Sequence, residues 1–313
     1  IEYLMNTRLE TIIDDSNLAW DKTFESKKEF FIISIDTSII NQLIEKRELL
    51  STADPCNFKF LESIISDFQS KLISGSGFII IDGKCFEKFS KEEVQMIYQI
   101  FAKSLGELYV QNIKKEKLVL IKNEGKSMKT GGRYHQTKEG GSYHTDSPQW
   151  ENVPDIIGLC CINPAKTGGT SKFISSYTVH NLFLQKDSQL LEILYNKFYF
   201  DKRGEIEENE EPTIFEPIMQ FKNNKLMFRY LRDYVDSGHK IQNKPLTEEQ
   251  DRSLKLLDKI LSEENIVVSY DLKKFDMTFF NNHRVIHGRT SFEDFEDEEK
   301  KRLMIRTWIK FSS

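Results

Sequence analysis

The chain has 313 residues and a formal net charge of −5, and apolar residues make up 39% of it. A chain of this length can bury a large core, and its slight acidity argues against nucleic acid as a partner. Its apolar runs, such as "IIGLCCI", are too short to cross a bilayer, and no secretory leader opens the chain, so we expect no membrane partner and a cytoplasmic location. The four cysteines lack metal-type spacing and are expected to be reduced thiols.

Most of the elements predicted in the first third of the chain are helices. Apolar residues recur at helical spacing in "TSIINQLIEKRELL" and in "FKFLESIISDFQSKLISGSG". A third helix is predicted over "FSKEEVQMIYQIFAKSLGEL", where Ser90 and Glu93 form a capping-box pattern. Before it, "GFIIIDG" predicts a short buried strand. We interpret the chain, 1–313, as a single domain with an N-terminal helical extension (1–55) and a core (56–313).

Strands dominate the rest of the chain. β-branched and aromatic segments set off by turns predict them; they are "KLVLIK", "DIIGLCCIN", "SKFISSY", "PIMQFKNNKLMFRYL", "NIVVSYDL", "FDMTFFNN" and "RLMIRTWIKF". Helical patterns interrupt them in "YTVHNLFLQKDSQLLEILYNKF" and "LTEEQDRSLKLLDKILSEEN". This order favours a mainly β fold with flanking helices, a jelly roll (double-stranded β-helix) with helical inserts, over alternating βαβ units.

Two polar segments are candidate lids. The acidic stretch "GEIEENEEPTIFEP" is interpreted as a solvated loop, or otherwise as part of a lid. The Gly- and Lys-rich "KNEGKSMKTGGRYHQTKEGGS" is interpreted as a lid that closes on substrate, or otherwise as a surface loop. It lacks the pattern of a phosphate-binding loop.

The stretch "GGSYHTDSPQW" contains a candidate half of a metal site. Residues two apart in a strand point to the same face, so His144 and Asp146 would project together. Two histidines and one carboxylate on one face of Fe(II) leave positions open for substrate and O2. The alternative is two polar residues that share a turn.

The C-terminal region supplies the other candidates. In "NNHRVIHGRTSF", His283 and His287 are four residues apart, and either could be the second histidine. In "RLMIRTWIK", alternation places Arg302, Arg306 and Trp308 on one face. Buried guanidinium groups need anionic partners, and a dicarboxylate cosubstrate would supply one through a bidentate pair. Surface salt bridges on an edge strand are the alternative.

Together, "YHTDSPQW", "AKTGGTSKF", "NNHRVIHGRTSF" and "RLMIRTWI" resemble the clavaminate synthase and taurine dioxygenase superfamily of Fe(II)/2-oxoglutarate-dependent oxygenases. The resemblance covers roughly Lys59 to Phe311. It implies Fe(II) as the metal, 2-oxoglutarate and O2 as cosubstrates, and hydroxylation of an unactivated C–H bond with release of succinate and CO2.

The resemblance also implies the iron ligands, which would be His144, Asp146 and His287. His287 is preferred over His283 because it matches the family's histidine before Gly-Arg. An acid at position 146 disfavours the halogenase variant of the family, in which a small residue frees a site for chloride.

The same resemblance implies a cosubstrate site. Arg302 matches the arginine that pairs with the distal carboxylate of 2-oxoglutarate. Ser171, or Thr170 if the register slips, would hydrogen-bond that carboxylate.

The substrate is expected to be a small polar molecule, possibly an amino acid that is free or attached to a carrier. Arg306 matches a position that meets an anionic group of the substrate in several relatives. Arg232 and Asp233 could contact a zwitterion, or could form a salt-bridged strand end. Desaturation or cyclisation stays an alternative to hydroxylation. A cupin-like metal-dependent isomerase or lyase and a non-catalytic binding module are the alternatives from other classes.

Overall fold

The computed structural model describes residues 8–112, 114–125, 137–206 and 208–311. Most of the Gly- and Lys-rich candidate lid, residues 126–136, lies outside these ranges, so that prediction is not tested. No helix in the described ranges has both the length and the apolar character needed to cross a membrane.

The α-helices are α1 (Thr37–Glu45), α2 (Glu62–Ile73), α3 (Lys91–Leu105), α4 (Ser176–Lys186), α5 (Ser188–Leu194), α6 (Arg232–Ile241) and α7 (Glu248–Leu261). Short 3-10 helices span Lys22–Ser26, Lys28–Phe30, Arg47–Thr52, Pro55–Leu61, Gly83–Phe86, Glu264–Ile266 and Glu298–Lys300. The strands are β1 (Ile32–Ile33), β2 (Phe78–Ile81), β3 (Glu107–Tyr109), β4 (Leu118–Ile121), β5 (Ile156–Asn163), β6 (Thr167–Gly168), β7 (Ser171–Ser175), β8 (Lys197–Asp201), β9 (Thr213–Pro217), β10 (Met219–Lys222), β11 (Lys225–Phe228), β12 (Val268–Tyr270), β13 (Met277–Asn281), β14 (Val285–Arg289), β15 (Phe292–Glu293) and β16 (Leu303–Lys310).

The N-terminal region only partly matches the predicted helical extension. Its α-helix, α1, is short and is followed by 3-10 turns, and β1 adds a parallel strand to β2 at the edge of the main sheet. α3 begins as predicted: the Ser90 hydroxyl accepts from the N–H of Glu93, and the Glu93 carboxylate accepts from the N–H of Ser90. Such reciprocal caps satisfy N–H groups that the first helical turn leaves without partners.

The main sheet has the strand order β1-β2-β13-β5-β16-β3, with β4 also paired to β16. Successive side chains point to opposite faces, and both faces are apolar. Ile79, Phe279 and Ile305 pack with α2 and α3 on the outer face, and Phe78 and Trp308 belong to the cluster on the inner face.

A second sheet, β12-β7-β14, covers that inner face. The ring of Phe173 on β7 stacks on Phe78 with centroids 4.9 Å apart. It also meets the ring of Phe280 on β13 edge-on, with centroids 5.8 Å apart. Two facing, largely antiparallel sheets with helices outside them confirm the predicted jelly roll with flanking helices.

The outer face of the second sheet packs on the helical insert. Ile174 and Ile286 join a cluster with residues of α4, α5, α7 and the strands β8 to β11. The helix predicted over "YTVHNLFLQKDSQLLEILYNKF" is divided at Asp187, whose carboxylate accepts from the first N–H groups of α5. The acidic stretch is not a loop throughout, because its last residues, Thr213–Pro217, form β9 and pair with β8.

Candidate metal and cosubstrate site

The two histidine segments meet through their backbones. The N–H of His144 donates to the carbonyl of His287 at 3.0 Å, and the N–H of His287 donates to the carbonyl of His144 at 2.9 Å. His144 forms an isolated bridge to β14 and Asp146 lies in a bend, so the strand predicted around them is wrong. Their side chains still converge, because pairing with β14 orients this loop much as strand pairing would.

Three potential ligand atoms, from His144, Asp146 and His287, lie within 4.8 Å of one another. Asp146 Oδ1 is 3.7 Å from Nε2 of His144 and 3.5 Å from Nε2 of His287. Adjacent ligands of a six-coordinate first-row metal stand roughly 3 Å apart, so a small contraction would close the site. The Nδ1–H of His144 can donate to the carbonyl of Ser142 at 2.9 Å, which leaves its Nε2 lone pair for a metal.

The protonation states suit metal binding. Burial, together with the nearby charge of His287, lowers the pKa of His144 to about 4, so its ring is neutral at neutral pH. Burial alone would raise the pKa of Asp146, but the guanidinium of Arg306 and the hydrogen bond with His287 outweigh burial and hold that pKa far below its ordinary value. A neutral imidazole and an ionised carboxylate are the forms that bind divalent iron.

Asn282 fixes the backbone of the ligand loop. Its side-chain carbonyl accepts from the N–H of Asp146 at 2.8 Å, and its amide donates to the carbonyls of Asp146 at 2.9 Å and Pro154 at 3.1 Å. Asn282 is fully buried in the turn between β13 and β14. The sequence shows an asparagine pair before the second histidine segment, but its pattern does not show which backbone the side chain would hold.

β16 holds the second oxygen of the carboxylate. Asp146 Oδ2 accepts from Nε1 of Trp308 at 2.8 Å and from Nη1 of Arg306 at 3.3 Å. Nε of Arg306 donates to Oε1 of Gln111 at 2.8 Å. Arg306 also lines the cavity. Two of its guanidinium nitrogens already donate to Asp146 and Gln111.

A cavity of about 680 Å³ holds the three ligands together with Arg302. Arg302 is 6% exposed, and its Nη1 has no hydrogen-bond partner among the residues that the structure describes. Its guanidinium lies 4.9 Å from the centroid of Phe292. Burial and the charge of Arg289 lower the pKa of Arg302 to about 10, so it stays charged at neutral pH. Within the described ranges Arg302 forms no side-chain ion pair, so the surface salt-bridge alternative does not apply to it.

Ser171 and Thr170 differ in where their hydroxyls lie. Ser171 lines the main cavity and pairs across the sheet with Arg289, two residues after His287 on the same face of β14. The Thr170 hydroxyl donates to Asp271 at 2.6 Å and lines a second cavity of about 290 Å³. The structure therefore favours Ser171, and it adds Arg289, which strand alternation in "HGR" could have indicated.

Arg232 and Asp233 do not reach the cavity, which corrects their assignment to the substrate. Arg232 starts α6, donating to Asp258 at 2.7 Å and to Asp236 at 2.9 Å. Asp233 is exposed in the first helical turn. The alternative, a salt-bridged strand end, is also wrong, because Arg232 lies at the N-terminus of a helix. The same segment reaches the cavity through Leu231 and Tyr234 instead.

His283 lies apart from the three ligands. Its Nε2 is 2.9 Å from Oδ1 of Asp155, which also accepts from Nζ of Lys310 at 3.1 Å. His283 lies in the turn before β14, whereas His287 lies within that strand. Of the two candidates, only His287 therefore lies beside His144 and Asp146.

The mouth of the cavity carries two charged residues, one in the acidic candidate lid and one just before it. Arg203 and Glu205 line it from the loop after β8. The Arg203 guanidinium lies 5.4 Å from the centroid of Tyr234. Oε2 of Glu205 accepts from Nε1 of Trp150 at 3.0 Å and from Nε2 of Gln149 at 3.2 Å. These contacts join the insert to the ligand loop.

Residues 52–308 match the model of the taurine catabolism dioxygenase TauD, TfdA family, and the chain belongs to this family. It is 29% identical over 251 residues to FR-33289 synthase of Streptomyces rubellomurinus, covering 79% of this chain and 72% of that protein. It is 24% identical over 168 residues to the taurine hydroxylase-like protein SAT17 of Stachybotrys chartarum, covering 52% of this chain and only 40% of that protein.

Two solved structures share the fold. A crystal structure of asparagine oxygenase aligns with a TM-score of 0.70 at 15% identity, over 90% of this chain and 93% of that one. The non-heme iron oxygenase OrfP, in complex with Fe and alpha-ketoglutaric acid, aligns with a TM-score of 0.66 at 15% identity, over 89% and 94%. The family confirms the resemblance drawn from the motifs: the chain is a dioxygenase of the Fe(II)/2-oxoglutarate-dependent class, and neither a cupin-like isomerase or lyase nor a non-catalytic module.

A pair of histidine variants tests the assignment of the metal ligands. We expect His287→Ala to weaken Mn(II) binding to the metal-free protein by about 100-fold or more, because a ligand is lost and not merely a supporting residue. His283→Ala, the matched control, removes only the contact with Asp155 and is expected to keep the metal affinity of the unmodified protein. Calorimetric titration measures both. Loss of binding in His283→Ala with retention in His287→Ala would reverse the assignment.

Proposed function

We propose that this dioxygenase binds one Fe(II) through His144, Asp146 and His287 and hydroxylates an unactivated C–H bond of a small amino acid or a derivative of one. The observation that carries the proposal is the convergence of this triad with a buried, incompletely paired arginine in one cavity. Iron with 2-oxoglutarate and O2 supplies the oxidising chemistry, in which one oxygen atom enters the substrate and the other enters succinate as CO2 leaves. The chain itself binds, orients and excludes water.

The cosubstrate site is proposed to lie between Arg302 and the second sheet. Nη1 of Arg302 needs an anion, because a buried guanidinium without a partner is costly. The Arg289–Ser171 pair lies two residues from His287 along β14, a separation of about 7 Å. A five-carbon dicarboxylate can span that interval with its keto acid end at the metal and its far carboxylate between Arg302 and Ser171.

The substrate is proposed to lie between the metal and the mouth. Arg306 uses Nε and Nη1 for Gln111 and Asp146, which leaves Nη2 for an anionic group of the substrate. Arg203 and Glu205 bring opposite charges to the mouth from one loop, a combination that matches the carboxylate and ammonium of an amino acid.

Known relatives support this substrate class. One structure of asparagine oxygenase holds Fe(II), 2S,3S-3-hydroxyasparagine and succinate, and one of OrfP holds (3S)-hydroxy-L-Arg. We favour a free amino acid over a carrier-bound one, because a thioester to a carrier would remove the carboxylate charge that Arg203 could bind. We also propose that residues 1–313 form a single domain and that the protein is cytoplasmic. The four free thiols support the cytoplasmic location.

Three variants test the cosubstrate site. Arg302→Met is expected to weaken 2-oxoglutarate binding to the Mn(II)-loaded protein by about 10-fold to several hundred-fold, since a charge-assisted hydrogen bond contributes roughly 1.5–3 kcal/mol and more if the carboxylate is left unpaired. Ser171→Ala should weaken it less, and Thr170→Ala, the matched control, should leave it unchanged. Anaerobic calorimetry gives the three dissociation constants. An unchanged value for Arg302→Met contradicts the assignment.

A substrate panel tests the proposed mouth contacts. Free amino acids, their N-acetyl and carboxamide derivatives and carrier-bound thioesters are compared by succinate release and product mass. We expect a gain of one oxygen on a free amino acid, with Arg203→Met and Glu205→Gln each raising KM by about 10-fold through loss of a charged contact. The exposed Glu208→Gln and Asp233→Asn are the matched controls and should not change KM. Equal turnover of carrier-bound thioesters, or of derivatives that lack both charges, contradicts this assignment.

A further inference from the structure

The carboxylate oxygen of Asp146 that faces away from the histidines is held by two donors. Oδ1 is the atom near both Nε2 nitrogens, at 3.7 and 3.5 Å. Oδ2 accepts from the indole N–H of Trp308 at 2.8 Å, a closer contact than the 3.3 Å to Nη1 of Arg306. The two oxygens of one side chain therefore have separate environments.

This separation matters for the number of positions left on the metal. A carboxylate can bind a metal through one oxygen or through both. A triad of two histidines and one carboxylate leaves three positions of an octahedral ion open only when the carboxylate uses a single oxygen. 2-Oxoglutarate needs two of those positions for its carboxylate and keto oxygens, so a second oxygen from Asp146 would compete with it or with O2.

We propose that Trp308 is a positioning residue that keeps Asp146 a one-oxygen ligand. Its N–H engages Oδ2, so that rotating the carboxylate to bring both oxygens to the metal would break a charge-assisted hydrogen bond in a buried site. Trp308 acts through Asp146 in this role. The inference rests on the proposed function, since it concerns the same metal and cosubstrate.

The surroundings of Trp308 hold its ring in place. The residue is 5% exposed, and on β16 it pairs with Ile157 of β5 on one side and Tyr109 of β3 on the other. The ring of Trp150 meets it edge-on at 5.2 Å and 88°. The guanidinium of Arg306 lies 4.8 Å from its centroid. A ring fixed by the sheet and its neighbours cannot follow a rotating carboxylate, so the N–H favours one orientation of Asp146.

Trp308→Phe tests the inference, because it keeps a ring and removes the donor. We expect the variant to bind Co(II) with nearly unchanged affinity, since Oδ2 of Asp146, then held only by the longer contact with Arg306, can also bind the metal. We expect it to bind 2-oxoglutarate about 10-fold or more weakly. The Co(II) absorption and electron paramagnetic resonance spectra should change before any 2-oxoglutarate is added. Trp20→Phe is the matched control: its indole donates to the carbonyl of Ser76 and not to Asp146, so both affinities and the Co(II) spectra should stay as in the unmodified protein.

A second variant separates the hydrogen bond from packing. Benzothienylalanine at position 308 keeps the two-ring shape of tryptophan but has no N–H, so it should reproduce the Trp308→Phe result at an unchanged melting temperature. A parallel loss of metal and 2-oxoglutarate affinity, restored by benzothienylalanine, shows a packing role and overturns the inference. Unchanged 2-oxoglutarate affinity and Co(II) spectra in both variants also overturn it. If the unmodified Co(II) protein itself binds no 2-oxoglutarate, the proposed function fails instead.

Discussion

The reciprocal backbone hydrogen bonds between His144 and His287 are the contact on which the rest of the site depends. They join a loop that has little regular structure of its own to β14, a strand of the second sheet. The Asn282 carboxamide adds a second attachment at Asp146, from the turn that leads into the same strand. The geometry of the three ligands is thus fixed by β14 and the turn before it, and a rigid support of this kind is what a metal site requires.

Charge burial is the second constraint on this pocket. Asp146, Arg302 and Arg306 lie between two sheets whose facing surfaces are otherwise largely apolar. Asp146 and Arg306 compensate each other, but in the described part of the chain Nη1 of Arg302 has no partner. Removing a charge from water costs several kcal/mol unless an opposite charge replaces the hydration. A dicarboxylate would offset that cost on binding, so the same residue that destabilises the empty pocket favours its cosubstrate.

Much of this could be predicted from local sequence patterns. β-branched and aromatic segments set off by turns, and their order among the helices, predicted the jelly roll. The family motifs predicted the residues that the structure brings together. Local patterns failed where a long-range contact decides the outcome. The turn at Asn282 turns His283 toward Asp155, and α6 starts at Arg232 because the following residues pack on the insert. Arg203 and Glu205 lie in the loop after β8. No periodicity in the sequence indicates that this loop approaches the ligand loop.

We propose that one pocket binds iron and 2-oxoglutarate together. Anaerobic titration of the Fe(II)-loaded protein with 2-oxoglutarate tests it most directly, because a metal-to-ligand charge-transfer band in the visible range arises only when the keto acid chelates the iron. We expect a band that saturates at one 2-oxoglutarate per chain. Stoichiometric iron binding with no band at saturating 2-oxoglutarate, or no stoichiometric iron binding, would contradict it.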